Sequence, residues 1–337
     1  MTSRQIGALA AFFGFVAAFE ASADWVAETL PTAAPVTEVR QVGDRVYIRA
    51  GGWLTAGACA DGLVCEASSP PPEREPAPGG FPDGYVAEAD NDNDGARAAW
   101  FAEATDRYPH GALGDPIEAG ALVAQDFRAR QAIVRLGSDQ VFEDVAPRIA
   151  DLTGDGQNDV LAIRSSLLAG ASVVVYRLVG GTLAEIAATP PIGRPNRWLN
   201  IAGIADFTGD RHLDIAVVET PHTGGTLEVL TLQAARLRLV DRMEGFSNHV
   251  FGSTELAMSA VADVNGDPIA DLVLPDAERR SLRMVSAARG RLRELARVPL
   301  DGAVATAIGV VTVDDRPVFL LGLEDGRLVA VSFADEE

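Results

Sequence analysis

Asp151-Leu152-Thr153-Gly154-Asp155-Gly156-Gln157-Asn158-Asp159 is the stretch from which the rest of the chain can be read. The same acidic loop recurs as Asp206-Phe207-Thr208-Gly209-Asp210-Arg211-His212-Leu213-Asp214 and as Asp263-Val264-Asn265-Gly266-Asp267-Pro268-Ile269-Ala270-Asp271. Oxygen-bearing side chains fall at loop positions 1, 3, 5 and 9. This is the alternation by which a hard cation such as Ca2+ collects roughly six to eight oxygens from one short turn. The loop starts, at 151, 206 and 263, are 55 and 57 residues apart. A near-constant period of this length points to a repeat architecture with one acidic loop in each unit.

Each loop is entered from a short apolar run and left through another. In the clearest unit Pro147–Ala150 leads into the loop, and Val160–Ile163, Ser172–Leu178 and Thr182–Ile186 follow, with Gly180-Gly181 as a tight turn. The next unit gives Ile201–Ala205, Ile215–Val218, Thr226–Leu232 and Arg236–Val240, and the third gives Ser259–Ala262, Leu272–Leu274, Ser281–Val285 and Arg291–Leu295. Four short strands joined by glycine-containing turns make one blade of a β-propeller.

Two weaker copies flank these. Upstream stands Asp90-Asn91-Asp92-Asn93-Asp94-Gly95, followed by Ala98–Phe101; downstream, Ile308–Thr312, Pro317–Leu321 and Leu328–Val331 repeat the strands without the acidic pattern. The downstream copy lacks a fourth strand. An N-terminal strand, for example Arg45–Arg49, would complete that blade and close the ring, removing the exposed edges at both ends. The expected fold is an all-β propeller of four-stranded blades, five on this count, four continuous and one composite. With residues 31–80 as a blade of their own the number is six, and seven stays open.

The pattern Asp-x-(Thr/Asn)-Gly-Asp-x-x-x-Asp, set between an apolar and an aliphatic strand, resembles the FG-GAP family of propeller repeats, known in bacterial relatives as VCBS-type repeats. The resemblance covers roughly residues 82–335. It implies a Ca2+ site between the first two strands of a blade. Its ligands would fall on Asp151, Thr153, Asp155 and Asp159, on Asp206, Thr208, Asp210 and Asp214, and on Asp263, Asn265, Asp267 and Asp271. Backbone carbonyls at position 7 would add Gln157, His212 and Ile269. That makes up to three sites, with a weak fourth at Asp90, Asp92 and Asp94, where Ala98 stands at position 9.

The position-6 glycine of such loops is present only as Gly156, with Arg211 and Pro268 in its place elsewhere. Because proline's ring holds φ negative, the third loop is expected to turn differently or to rely on Gly266, the position-4 glycine it shares with Gly154 and Gly209. Occupancy should then fall from the 151 loop through the 206 loop to the 263 loop. An EF-hand is excluded, since its bidentate glutamate at position 12 would be Ala162, between strands. The plain alternative is a set of Asp-Gly turns capped by their own side chains, without metal.

The 337 residues carry 28 Lys+Arg against 48 Asp+Glu, a formal charge of -20. Such a field repels phosphate backbones and anionic lipid surfaces and argues against nucleic-acid and membrane-surface binding. Arg4, the apolar stretch Ile6–Phe19 and Ala21-Ser22-Ala23 read as a signal peptide over residues 1–23. The apolar stretch is too short for a spanning anchor, and no second run is long enough. The mature chain is therefore expected to be exported, to a periplasm or the medium, with no transmembrane segment. Cys59 and Cys65, the only cysteines, suit a disulfide-closed hairpin in an oxidising compartment. They lie in an N-terminal β segment, 24–81, that also holds the proline-rich stretch 68–80; the repeats occupy 82–337.

No nucleophile elbow, P-loop, dinucleotide fingerprint or paired-histidine metal motif occurs. The expected function is that of an exported, Ca2+-stabilised, non-enzymatic propeller that binds a protein or a glycan. The alternative is a carbohydrate hydrolase or lyase with its site in Asp106–Glu118, the longest departure from the repeat. There His110 would serve as base, Tyr108 or Asp115 as acid, and Arg107 as the anchor for an anionic substrate. His212 and His222 read as surface loop residues.

Overall fold

The computed structural model describes residues 25–57, 59 and 62–334. The signal peptide read at 1–23 lies outside them. Among the described residues the chain is built of strands, with two short 3-10 turns at Pro221–Thr223 and Ala288–Gly290, and no helix is long and apolar enough to cross a membrane. Strands such as Glu118–Gln125 and Asp271–Pro275 are buried on both faces, whereas outer strands such as Thr182–Ala188 alternate and turn one row of side chains inward.

The strands form antiparallel groups of four. Leu199–Ala205, Asp214–Glu219, Gly225–Gln233 and Arg236–Phe246 make one, and Ala260–Ala262, Asp271–Pro275, Ser281–Ser286 and Arg293–Pro299 make the next. Arg148–Ala150, Gln157–Ser166, Gly170–Val179 and Thr182–Ala188 keep the same order. Through Gln140–Phe142 this group is joined to Ala87–Glu88, Ala98–Thr105, Glu118–Gln125 and Gln131–Arg135, so the two share one ten-stranded sheet.

One N-terminal assignment needs correction. Arg45–Ala50 does not complete the last unit; it pairs with Glu38–Val42 and Gly52–Ala56 in a separate sheet that ends at Val64–Glu66. The strand that completes Gly309–Val313, Arg316–Gly322 and Leu328–Phe333 is Trp25–Leu30, antiparallel to Leu328–Phe333 from Trp25↔Phe333 to Leu30↔Leu328. The physical reason lies in the side chains. Val46 and Ile48 are buried against Val311, Leu320 and Ala330, which fixes their sheet on the flank of the last one. Trp25 instead supplies an aromatic ring 5.8 Å from Phe319 and 5.7 Å from Phe333. Cys59 and Cys65 are joined, closing the turn before Val64–Glu66.

Apolar layers lie between consecutive sheets from Ala87 onward, with Phe101, Phe142 and Tyr176 in the first of them. Between the Glu38–Glu66 sheet and the one opening at Ala87 the chain lays its proline-rich segment. That segment is exposed for most of its length but pinned at intervals. Pro71 is buried, Arg40 Nη1 donates to the Pro72 carbonyl at 3.2 Å, and Ala77 and Phe81 enter the layer around Trp100.

Gly309 is where the first and last sheets come closest: a Cβ there would lie 2.6 Å from both methyls of Val46. Gly309→Ala should therefore cost about 1–3 kcal/mol through overpacking. A lower thermal midpoint by circular dichroism is the expected result; an unchanged one would mean that the two sheets are not in tight contact.

Candidate functional site

All three acidic loops adopt the same turn. Asp151 Oδ1 accepts from the amides of Gly154 and Asp155 at 2.8 and 3.2 Å, and its Oδ2 accepts from Gly156 at 2.8 Å. Asp206 repeats this with Gly209, Asp210 and Arg211 at 2.7, 3.1 and 2.8 Å. Asp263 Oδ1 accepts from Asn265, Gly266 and Asp267 at 3.1, 2.7 and 3.3 Å. Pro268 has no N–H, so Asp263 Oδ2 lacks the amide that the other two loops supply. Of the two courses expected for the third loop, it takes the second: it keeps the same turn, with Gly266 at φ 79° and Pro268 at φ 32° against 79° and 70° for Gly156 and Arg211, outside proline's usual range.

Position 4 requires glycine for its positive φ in all three loops, and at Gly209 for space as well. Gly154, Gly209 and Gly266 have φ of 71°, 79° and 79°, and a Cβ on Gly154 or Gly209 would meet His212 Nδ1 at 3.4 Å or Ile269 Cδ1 at 2.7 Å. The position-7 side chains thus seat each loop on the one before it. The Asp90 segment braces the first loop in a similar way. Asp94–Gly95 runs parallel to Gln157–Asn158, and Asn158 Nδ2 donates to Asn91 Oδ1 at 2.9 Å.

The loops diverge at position 9. Asp159, Asp214 and Asp271 are all fully buried. Both oxygens of Asp159 are taken by Arg177, from Nε at 2.7 Å and Nη2 at 3.0 Å. Asp214 Oδ2 accepts from the Thr208 amide and Asp271 Oδ2 from the Val264 amide, each at 3.1 Å, but Oδ1 of both, and Thr208 Oγ1, are buried without a partner. Burial pushes Asp214 upward and Asp271 up to about 6. A buried oxygen left in this way requires a partner. Among the described residues no three acidic, histidine or cysteine side chains converge closely enough to hold an ion by themselves.

The Asp106–Glu118 segment divides its titratable groups: Arg107 and Asp115 are held by backbone groups, whereas Tyr108, His110 and Glu118 come together. Arg107 Nε donates to the Gln140 carbonyl at 2.8 Å, and Asp115 Oδ1 accepts from the Ile117 amide at 2.6 Å. Tyr108 and His110 instead join a buried cluster drawn from several sheets. His110 Nδ1 lies 2.5 Å from Glu143 Oε1, Ser165 donates to Glu143 Oε2, and Trp198 Nε1 donates to the Glu143 carbonyl at 2.8 Å. His222, read from sequence as a surface residue, stacks on Trp198 with the ring planes 8° apart.

Its Nδ1 is 3.3 Å from His249 Nδ1, and His249 Nε2 is 2.7 Å from the Ser253 carbonyl. His249 must therefore carry its proton on Nε2, and its Nδ1 accepts from His222 Nδ1–H. This leaves the buried Nε2 of His222 as a lone pair without a partner. Burial holds both imidazoles at about 4. Glu118 is fully buried with both oxygens unpartnered, and burial, then the nearby Glu143, push it up to about 10. Sequence reasoning included Glu118 in its segment without giving it a role and missed Glu143, Ser165 and His249; the one available signal was that three of the chain's four histidines sit in non-repeating connections.

A pocket of about 940 Å3 is walled by parts of Ala87–Glu88, Arg148–Ala150 and Leu199–Ala205, the first strands of successive groups, with Ser259 beyond them. Arg74, Arg148 and Arg211 bring positive charge to it, and Glu88, Asp90, Asp151 and Glu255 negative. Arg148 is paired with Asp144 at 3.5 Å. Arg74 lies over the Tyr85 ring at 4.5 Å; neither it nor Arg211 is held in an ion pair with a described residue.

Residues 151–217 match the family model of the FG-GAP-like repeat, from the first acidic loop through the strand after the second. The chain thus carries an FG-GAP-like repeat. No curated protein matches it.

The buried cluster sets the pH response. Glu118 titrates near 10 in the fold against an ordinary 4.5, so its contribution is complete below 4.5 and is lost as pH rises towards 10. His222 and His249 titrate near 4 against an ordinary 6.5, so theirs is complete above 6.5 and is lost as pH falls to 4. Thermal midpoints across this range should fall on both sides. Glu118→Gln should flatten the alkaline side and, because the two windows overlap between 4.5 and 6.5, steepen the acid side; an unaltered alkaline slope would remove Glu118 as its cause.

Proposed function

We propose that the chain is an exported, cation-stabilised propeller of six blades that acts as a non-enzymatic binding module for a protein or glycan. The six four-stranded groups are the blades, and Trp25–Leu30 closes the ring by completing the last. The observation that carries the binding role is the pocket bounded by successive first strands, where Arg74 and Arg211 stand among carboxylates. Two cationic side chains without carboxylate partners suit an anionic group on the bound molecule. The disulfide accords with an oxidising compartment, in a periplasm or the medium.

Calcium fits the second and third loops. Asp206, Thr208, Asp210 and Asp214, with the His212 carbonyl, would hold one ion; Asp263, Asn265, Asp267 and Asp271, with the Ile269 carbonyl, would hold the other. The support is the buried, unpartnered oxygens of Thr208, Asp214 and Asp271, which a hard cation satisfies. Its role is structural: it neutralises carboxylates and fixes the loops.

A ligand that binds only the native state raises stability by mass action. Ca2+ at about a hundredfold excess over Kd adds about 2.7 kcal/mol per site, or roughly 5 °C in a chain of this size. Thermal scans in EDTA and in millimolar Ca2+ should show this rise, reduced in Asp214→Ala and in Asp271→Ala. No rise in the unaltered chain would remove calcium from the reading.

The binding role is tested on a glycan array and a panel of exported proteins, comparing the chain with Arg74→Glu/Arg211→Glu. Loss of a signal in the double variant at an unchanged thermal midpoint is the expected result. A signal of equal strength in both would place the contact outside the pocket.

A further inference from the structure

The first acidic loop matches the repeat pattern best, with glycine at both positions 4 and 6 and carboxylates at 1, 5 and 9. On pattern alone it is the strongest calcium loop of the three. Its geometry disagrees, because its oxygens already surround a positive charge. The Arg177 guanidinium donates from Nε to Asp159 Oδ1 at 2.7 Å, from Nη2 to Asp159 Oδ2 at 3.0 Å and Thr153 Oγ1 at 2.5 Å, and from Nη1 to Asp155 Oδ2 at 2.8 Å. These are the side-chain oxygens of positions 3, 5 and 9. The remaining oxygens of the set accept backbone amides: those of Asp151 from Gly154, Asp155 and Gly156, and Asp155 Oδ1 from Gln157.

The strand register shows why only this loop is so arranged. Tyr176 pairs with Val160, which puts Arg177 opposite Asp159. The same place is held by Thr231 opposite Asp214, and by Ser286, which follows Val285, the partner of Leu272. Thr231 and Ser286 are too short to cross the loop and carry no charge. There the position-9 carboxylates keep a buried oxygen without a partner, whereas Asp159 keeps none. The side chain of Arg177 is itself only 17% exposed. Its planar fork matches a carboxylate in two-point fashion, and unlike a metal it cannot dissociate.

We propose that the guanidinium of Arg177 is the resident cation of the first acidic loop, so that this loop takes no divalent metal and the chain binds one ion fewer than its three intact loops suggest. The metal count rests on the calcium reading of the other two loops, and the test separates the two.

The experiment is Ca2+ titration by calorimetry and equilibrium dialysis on the full mature chain and on Arg177→Thr, which installs the side chain found at the matching place in the next unit. Two equivalents in the unaltered chain and three in Arg177→Thr are expected. None in the unaltered chain and one in the variant would also uphold the proposal while removing calcium from the other loops. Three in the unaltered chain, or the same number in both proteins, would overturn it; two in both would leave the other loops' calcium standing, and none in both would overturn that as well.

Asp155→Asn guards against a variant that does not fold. It should leave the count unchanged, since that carboxylate faces arginine, whereas Asp214→Asn should remove one equivalent. Loss of an equivalent in Asp155→Asn would overturn the proposal.

Discussion

A carboxylate buried at the same place in three successive sheets is the constraint around which this molecule is arranged. Asp159, Asp214 and Asp271 each sit at the start of a second strand, where the backbone leaves the loop and enters the sheet. Removing an ionised carboxylate from water is costly unless it is paired or hydrogen-bonded. The loop's other acidic groups raise that cost, and the first-position aspartate spends its oxygens on the loop's own amides. Each repeat therefore needs an additional positive or donating group beside its ninth position. The facing strand supplies an arginine in the first repeat and only the short hydroxyls of Thr231 and Ser286 in the next two, and it is here that the copies differ.

The repeat itself was legible. A recurring Asp-x-(Thr/Asn)-Gly-Asp-x-x-x-Asp loop between apolar runs marked the strands of the units from residue 147 to residue 299, because strand alternation and turn chemistry are local. What was not legible is what depends on distance along the chain. No local pattern says that Trp25–Leu30 rather than Arg45–Ala50 pairs with the last strand; that choice is made by Trp25 packing on Phe319 and Phe333, and by Val46 and Ile48 facing another sheet. The cluster of His110, Glu118, Glu143, Ser165, Trp198, His222 and His249 lies beyond periodicity for the same reason. Its members come from strands and connections of different units.

Arg177 is an intermediate case. Placed beside Thr231 and Ser286 by strand register, it is the odd residue of the three, and a comparison of the repeats outside the acidic loop would have raised it. The proline-rich segment carries a related lesson. Its composition limits ladder pairing to one antiparallel bridge, Pro76 to Tyr85, yet Pro71, Ala77 and Phe81 bury side chains where an apolar layer between two sheets would otherwise be expected. Absence of regular hydrogen bonding is compatible with a packing role, since proline has no donor to leave unsatisfied.

The pairing of Trp25–Leu30 with Leu328–Phe333 has a consequence for how the protein comes into being. The two strands lie at opposite ends of the described residues, so this sheet cannot form until everything between them has been made. Until then both strands present bare edges, and the contact that unites them requires closure of a loop nearly as long as the protein. Such distant pairings slow folding and lengthen exposure to mispairing with other chains.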